Sequence, residues 1–147
     1  MRLLIAIFLL SLGSVAIAQT APKPTPAPAQ PAAKPTPAPK VPKYNSAAES
    51  VYKGTVEDMV DRNCPVSGGM GSHISLKLES GEIIEVHLAT TKFVKLVEMN
   101  LQKGDTIEVT GWKTELDGVQ TIFARVIKHG DETYSFRDKD GKPAWIY

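Results

Sequence analysis

An all-β fold, specifically a five-stranded OB-type Greek-key barrel with a short helix between strands 3 and 4, is predicted by three observations. From residue 51 onward apolar and polar residues alternate with a period of two, as in half-buried strands. Turn residues interrupt that alternation at regular intervals. It fails once, in "TTKFVKLVEMN", where the apolar spacing becomes helical. Strand, loop, strand, strand, short helix, strand, strand is the order of an OB-type barrel. A β-sandwich needs more strands than five plus a short terminal pair.

Each element has its own warrant. Val51 to Val60 reads as the first strand, with Gly54 as a bend or bulge. A Gly-rich loop from Asn63 to Ser72 follows. In "HISLKLE" Ile74, Leu76 and Leu78 share one face, and in "IIEVHL" Ile84, Val86 and Leu88 do the same. Phe93, Leu96, Val97 and Leu101 recur at helical spacing, with Thr90 or Thr91 as N-cap. "GDTIEVTGWKTE" is the fourth strand, "LDGVQ" a hairpin turn and "QTIFARVIKHG" the fifth strand. "TYSFRDKDGKPAWIY" reads as a last short pair turning at "DKDG".

The domain is preceded by two segments of different composition. Residues 1–18 read as a signal peptide: Arg2, an apolar run from Leu3 to Leu12, and Ala16-Ile17-Ala18 before Gln19. The run is shorter than the ~20 residues of a membrane span; an uncleaved anchor is the alternative. Residues 19–43 hold nine of the eleven prolines and the unit "KPTPAP" twice, the composition of a low-complexity linker. Extended as polyproline II, it reaches roughly 75 Å. Residues 44–147 form one small domain, and a periplasmic or secreted location is expected.

All sixteen acidic residues lie in that domain against twelve basic ones, a net charge of −4, while the linker carries four lysines. An acidic domain is a poor start for binding phosphate backbones.

From "GSHISLKLESGEIIEVHLATTKF" to "GDTIEVTGWKTELDGVQTIFARVIKHGDETYSFRDKDGKPAW", roughly residues 51–147, the chain resembles small secreted bacterial OB-fold proteins. It is more distantly similar to the periplasmic stress-induced bacterial OB-fold family. The resemblance implies the fold and export. Both families are mostly of unassigned function, so it implies little about chemistry.

OB barrels of known function bind on the outer face of strands 2 and 3 beside the loop between strands 1 and 2. Pairing Leu78 with Ile84 and Leu76 with Val86 aligns the apolar faces and leaves Ser80-Gly81-Glu82 as the turn. The outward set is then His73, Ser75, Lys77 and Glu79 with Ile83, Glu85 and His87. It has no aromatic platform and one lysine, which argues against single-stranded nucleic acid. The expected function is an exported, non-catalytic binding or accessory module. Its ligand, an unidentified protein or small molecule, would meet Ser75, Lys77, Glu85 and His87 together with the 63–72 loop.

The alternative is a soft-metal site. His73 is the diagonal neighbour of His87 in that register, close enough for two imidazoles to converge. Cys64 and Met70 lie in the adjoining loop, and Cys64, Met70, His73 and His87 form a donor set suited to copper or, without Met70, zinc. The spacing matches no zinc motif. No catalytic constellation stands out, so no enzyme is expected. Cys64 is the chain's single cysteine, which leaves burial as a small apolar residue and a Cys64-linked dimer both open.

Overall fold

The computed structural model describes residues 40–146. The signal peptide and the linker as far as residue 39 lie outside the described residues. A single 3-10 turn, Ser46–Ala48, leads into strand β1, Glu49–Cys64. Then come β2 (Gly69–Leu78), β3 (Ile83–Thr90), helix α1 (Thr91–Leu96), β4 (Thr106–Leu116), β5 (Val119–His129) and β6 (Glu132–Ser135). The six strands form one sheet in the order β3-β2-β1-β4-β5-β6, with antiparallel neighbours. β3 also pairs in parallel with β5, Glu85–His87 against Thr121–Phe123.

The predicted terminal pair is reduced. Its first arm is β6, which pairs with β5, and only the isolated bridge Arg137–Pro143 joins the two sides of the last turn.

Alternation builds the core. Ile74 and Leu76 on β2 are buried with Ile84, Val86 and Leu88 on β3, and Ile107, Val109, Ile122 and Ile127 complete the same face. Burying each such side chain contributes about 1.5–3 kcal/mol. Thr90 caps α1, its Oγ1 accepting from Phe93 N at 3.3 Å. Asp117 and Gly118 both have positive φ, 51° and 80°, as a two-residue hairpin turn of type I′ requires.

Three expectations are corrected. The β1–β2 connection is shorter than the predicted 63–72 loop: Cys64 pairs with Gly69, leaving only the turn Pro65–Gly68. Gly54 is not the bulge, which falls between Val56 and Asp58. Gly54 instead admits the neighbouring strand, since a Cβ there would lie 2.4 Å from the Lys77 carbonyl oxygen. Finally, Leu76 pairs with Ile84, not Val86, and His73 stands directly opposite His87. The slip of two residues keeps every apolar side chain on its predicted face.

A polar clamp ties the start of β1 to β5. Arg125 Nε donates to both Glu49 carboxylate oxygens, at 2.7 and 3.0 Å, and the Tyr44 hydroxyl donates to Oε1 at 2.6 Å. Burial pushes the Glu49 carboxyl pKa up, but the Arg125 and Tyr44 hydrogen bonds outweigh it and hold the group below its ordinary value. A depressed folded pKa means that the clamp's stability is fully present above the unfolded value near 4.5. It is lost as pH falls through the lower folded value. Glu49→Gln is therefore expected to flatten the acid side of the stability profile. Urea midpoints followed downward from about pH 5 check this; parallel profiles for the two proteins would contradict it.

Candidate metal centre

The turn Pro65–Gly68 folds back over the outer face of β2 and β3, and glycines permit it. Gly68 adopts φ +65°. Gly71 is needed for a different reason: a Cβ on it would lie 2.4 Å from Ser67 Oγ and 3.3 Å from Cys64 Cβ. With Gly71 bare, Ser67 reaches His87, placing its Oγ 2.9 Å from Nε2. The "SGGMG" run thus serves a tight fold-back over two histidines.

Beneath the turn lies a buried cluster. Cys64, His73 and His87 are exposed by only 3 %, 1 % and 0 %, and each offers a ligand atom within 4.8 Å of the others. The two imidazoles meet edge to face, with ring centres 5.0 Å apart. Phe123 of β5 and Trp145 pack against His87, at 5.7 and 6.0 Å. These aromatics and the turn bury a face that period-two patterning assigns to solvent.

The hydrogen bonds fix the proton positions. His73 Nδ1 lies 3.0 Å from Glu85 Oε1, and a carboxylate accepts, so Nδ1 carries the proton. Glu85 also receives Arg62 Nη2. In the neutral ring, His73 Nε2 is then a bare nitrogen, and this buried atom has no hydrogen-bond partner. The nearby Cys64 sulfur acts on it through proximity and charge, without a well-aligned bond. A histidine oriented by a carboxylate, with its other nitrogen free, is the usual arrangement of a metal-ligating imidazole.

Electrostatics shift the Cys64–His73 pair toward thiolate and imidazolium. Burial pushes the Cys64 thiol pKa up, but His73 and the backbone N–H groups of Ser67 and Val66 outweigh it and hold the thiol below its ordinary value. Burial likewise opposes charge on His73, yet Cys64 and Glu85 raise its pKa. Glu85 is lowered, chiefly by His73 despite burial, with help from Arg62. His87 is pushed down to about 2 by burial, then by Arg137 and His73, and stays neutral.

Of the four predicted soft donors, three are buried together. Met70 is not among them: it is 53 % exposed on β2, opposite Asn63. Of the predicted ligand-contacting residues, Lys77 is exposed and Ser75 half-buried opposite Glu85. His87 is not on an open surface as expected, because the fold-back covers it. Burial of Cys64 likewise leaves a Cys64-linked dimer without support, as the thiol is not presented to a second chain.

Sequence reasoning missed Phe123 and Arg137 and had Ser67 only as part of the 63–72 loop; all three close the site. Arg137 is buried, and its Nη1 donates to the carbonyls of Leu88 (3.2 Å) and Ala124. Its guanidinium lies 4.8 Å from the Trp145 ring centre. Nothing in "SFRDKDG" distinguishes this arginine from a solvated one. Among the described residues, no helix is long and apolar enough to cross a membrane.

A family model, that of the MamS/MamX magnetosome protein family, matches residues 49–134. Cys64, His73, Glu85 and His87 fall inside the match, whereas Arg137 and Trp145 lie beyond it. No curated protein matches the chain.

Proposed function

The chain belongs to the MamS/MamX magnetosome protein family, and from that premise we propose that it is an exported, non-catalytic accessory module that binds a soft transition-metal ion, copper or zinc. The observation that carries this reading is the buried Cys64–His73–His87 cluster with an unpartnered Nε2 on His73. Leaving a buried polar atom unsatisfied costs about 1–3 kcal/mol, a loss that a coordinated ion would recover. Thiolate and imidazole suit copper or zinc over hard cations. Cys64 and His73 would hold the ion, with His87 within reach, while Glu85 orients His73.

The strand pairings support an OB-type barrel as the scaffold: β1-β2-β3-β5-β4 and back to β1 forms a ring through the parallel β3–β5 contact. Signal peptide and Pro-rich linker remain the sequence's argument for export and tethering.

Cys64, His73 and Glu85 also follow the order of nucleophile, base and orienting carboxylate. The cleft that Cys64 lines, about 160 Å³, is bordered by Arg62, Asn63, Pro65 and Leu116 and not by His73 or Glu85, so it does not open onto the three together. Such seclusion suits an ion better than a substrate.

Titrating the reduced protein with Cu(I), Ag(I) and Zn(II) tests the reading. One equivalent of soft ion should bind, and Cys64→Ser or His73→Ala should each weaken it at least about 100-fold, the scale of lost ligands and their partners. Indifference to all three ions, or unchanged affinity in both variants, would sink the proposal.

A further inference from the structure

His87 shares the buried cluster, yet both of its ring nitrogens are engaged. Arg137 Nη2 lies 3.1 Å from Nδ1, and a guanidinium can only donate. Nδ1 is therefore the acceptor. The neutral ring carries its proton on Nε2, where it donates to Ser67 Oγ. A neutral imidazole ligates a metal through its unprotonated nitrogen, and on His87 that nitrogen already holds an arginine proton. Cys64 Sγ and His73 Nε2 are the two donors that stand ready.

Arg137 is fixed in this position. Two backbone carbonyls hold its Nη1, Trp145 covers its face, and it is only 4 % exposed. No carboxylate pairs with it among the described residues. A cation thus sits one imidazole ring away from the cluster.

Both facts act in the same direction. Zn(II) takes four ligands in structural sites, and three plus an open position in catalytic ones. Withholding His87 leaves it two from the cluster. A monovalent d10 ion accepts two donors, and with one thiolate it forms a neutral complex. A divalent ion would keep a net positive charge facing a buried guanidinium. Resting on the metal reading above, we infer that Arg137, by engaging His87, makes the Cys64–His73 site selective for a monovalent soft cation, Cu(I) or Ag(I), over Zn(II).

The test uses the reduced full-length protein with Ag(I) and Zn(II) as probes. Arg137→Met keeps the side-chain bulk and removes the charge and the donors. It should raise Zn(II) affinity roughly 10- to 100-fold, the size of one charge repulsion across about 7 Å at an effective dielectric near 20. Adding His87→Gln should take away whatever share of the gain a freed His87 supplies and leave the share due to charge alone. Histidine-ring nitrogen NMR of the unaltered protein needs no variant to fold. His87 should remain protonated at Nε2 before and after one equivalent of Ag(I), while His73 Nε2 shifts. Ag(I) bound with His87 shifting like His73, or Zn(II) affinity indifferent to Arg137→Met, overturns this inference alone. Loss of all Ag(I) binding in the unaltered protein overturns it together with the metal reading.

Discussion

Glu85→Gln is expected to weaken Ag(I) or Cu(I) binding by roughly 10- to 100-fold, the usual effect of removing the group that orients a ligating histidine. Glu85 accepts the His73 Nδ1 proton at 3.0 Å, and this bond leaves Nε2 bare toward Cys64. The glutamine keeps the volume and can still accept from Nδ1, but it removes the charge that raises the imidazole's basicity. Glu85 is only half-buried at its place in β3, so the fold should tolerate the change. Competition titration against a chelator reads the affinity, and a urea midpoint within error of the parent confirms an intact fold. Unchanged affinity would mean that His73 is held by something other than Glu85.

Arg137→Ala should destabilise the protein by about 2–5 kcal/mol, the range for truncating a large buried side chain to alanine. The truncation takes the donors from the Leu88 and Ala124 carbonyls and from His87 Nδ1. It also empties the space under Trp145, Phe123 and Tyr44, whose rings all lie within 6 Å of the guanidinium. Arg137→Met should cost much less, because it fills that space and removes the desolvation of an unpaired cation. Burial is severe enough to push the guanidinium pKa down to about 10. Equilibrium urea unfolding of the two variants separates the terms. Equal losses for Ala and Met would assign the whole effect to the hydrogen bonds.

Much of the fold was legible in the sequence because it depends on local pattern. Period-two alternation located β2 and β3, the Asp117-Gly118 pair marked a hairpin, and the threonine pair Thr90-Thr91 marked the start of α1, which Thr90 caps. The hairpin register was not legible to the residue. Pairing apolar face with apolar face excludes odd slips and cannot separate registers two residues apart, so His73 and His87 were placed as diagonal neighbours instead of opposite ones. The site was legible in its residue types and not in its burial. Alternation says which face a histidine occupies. Whether that face is covered depends on distant segments, here Phe123, Arg137 and Trp145, together with a fold-back that only Gly71 makes sterically possible. Met70 was misjudged for the opposite reason: nearness in sequence to Cys64 suggested a shared site, yet Met70 remains exposed.

The unequal construction of the site's floor and roof has a kinetic consequence. Its floor is β2 and β3, each with a strand on both sides, so opening it means breaking the sheet. Its roof is the four-residue turn Pro65–Gly68, held down at His87 through Ser67. Short turns open with far lower free energy than paired strands. The residence time of a captured ion would then follow the lifetime of the Ser67–His87 contact, and a protein of high global stability could still exchange its cargo quickly.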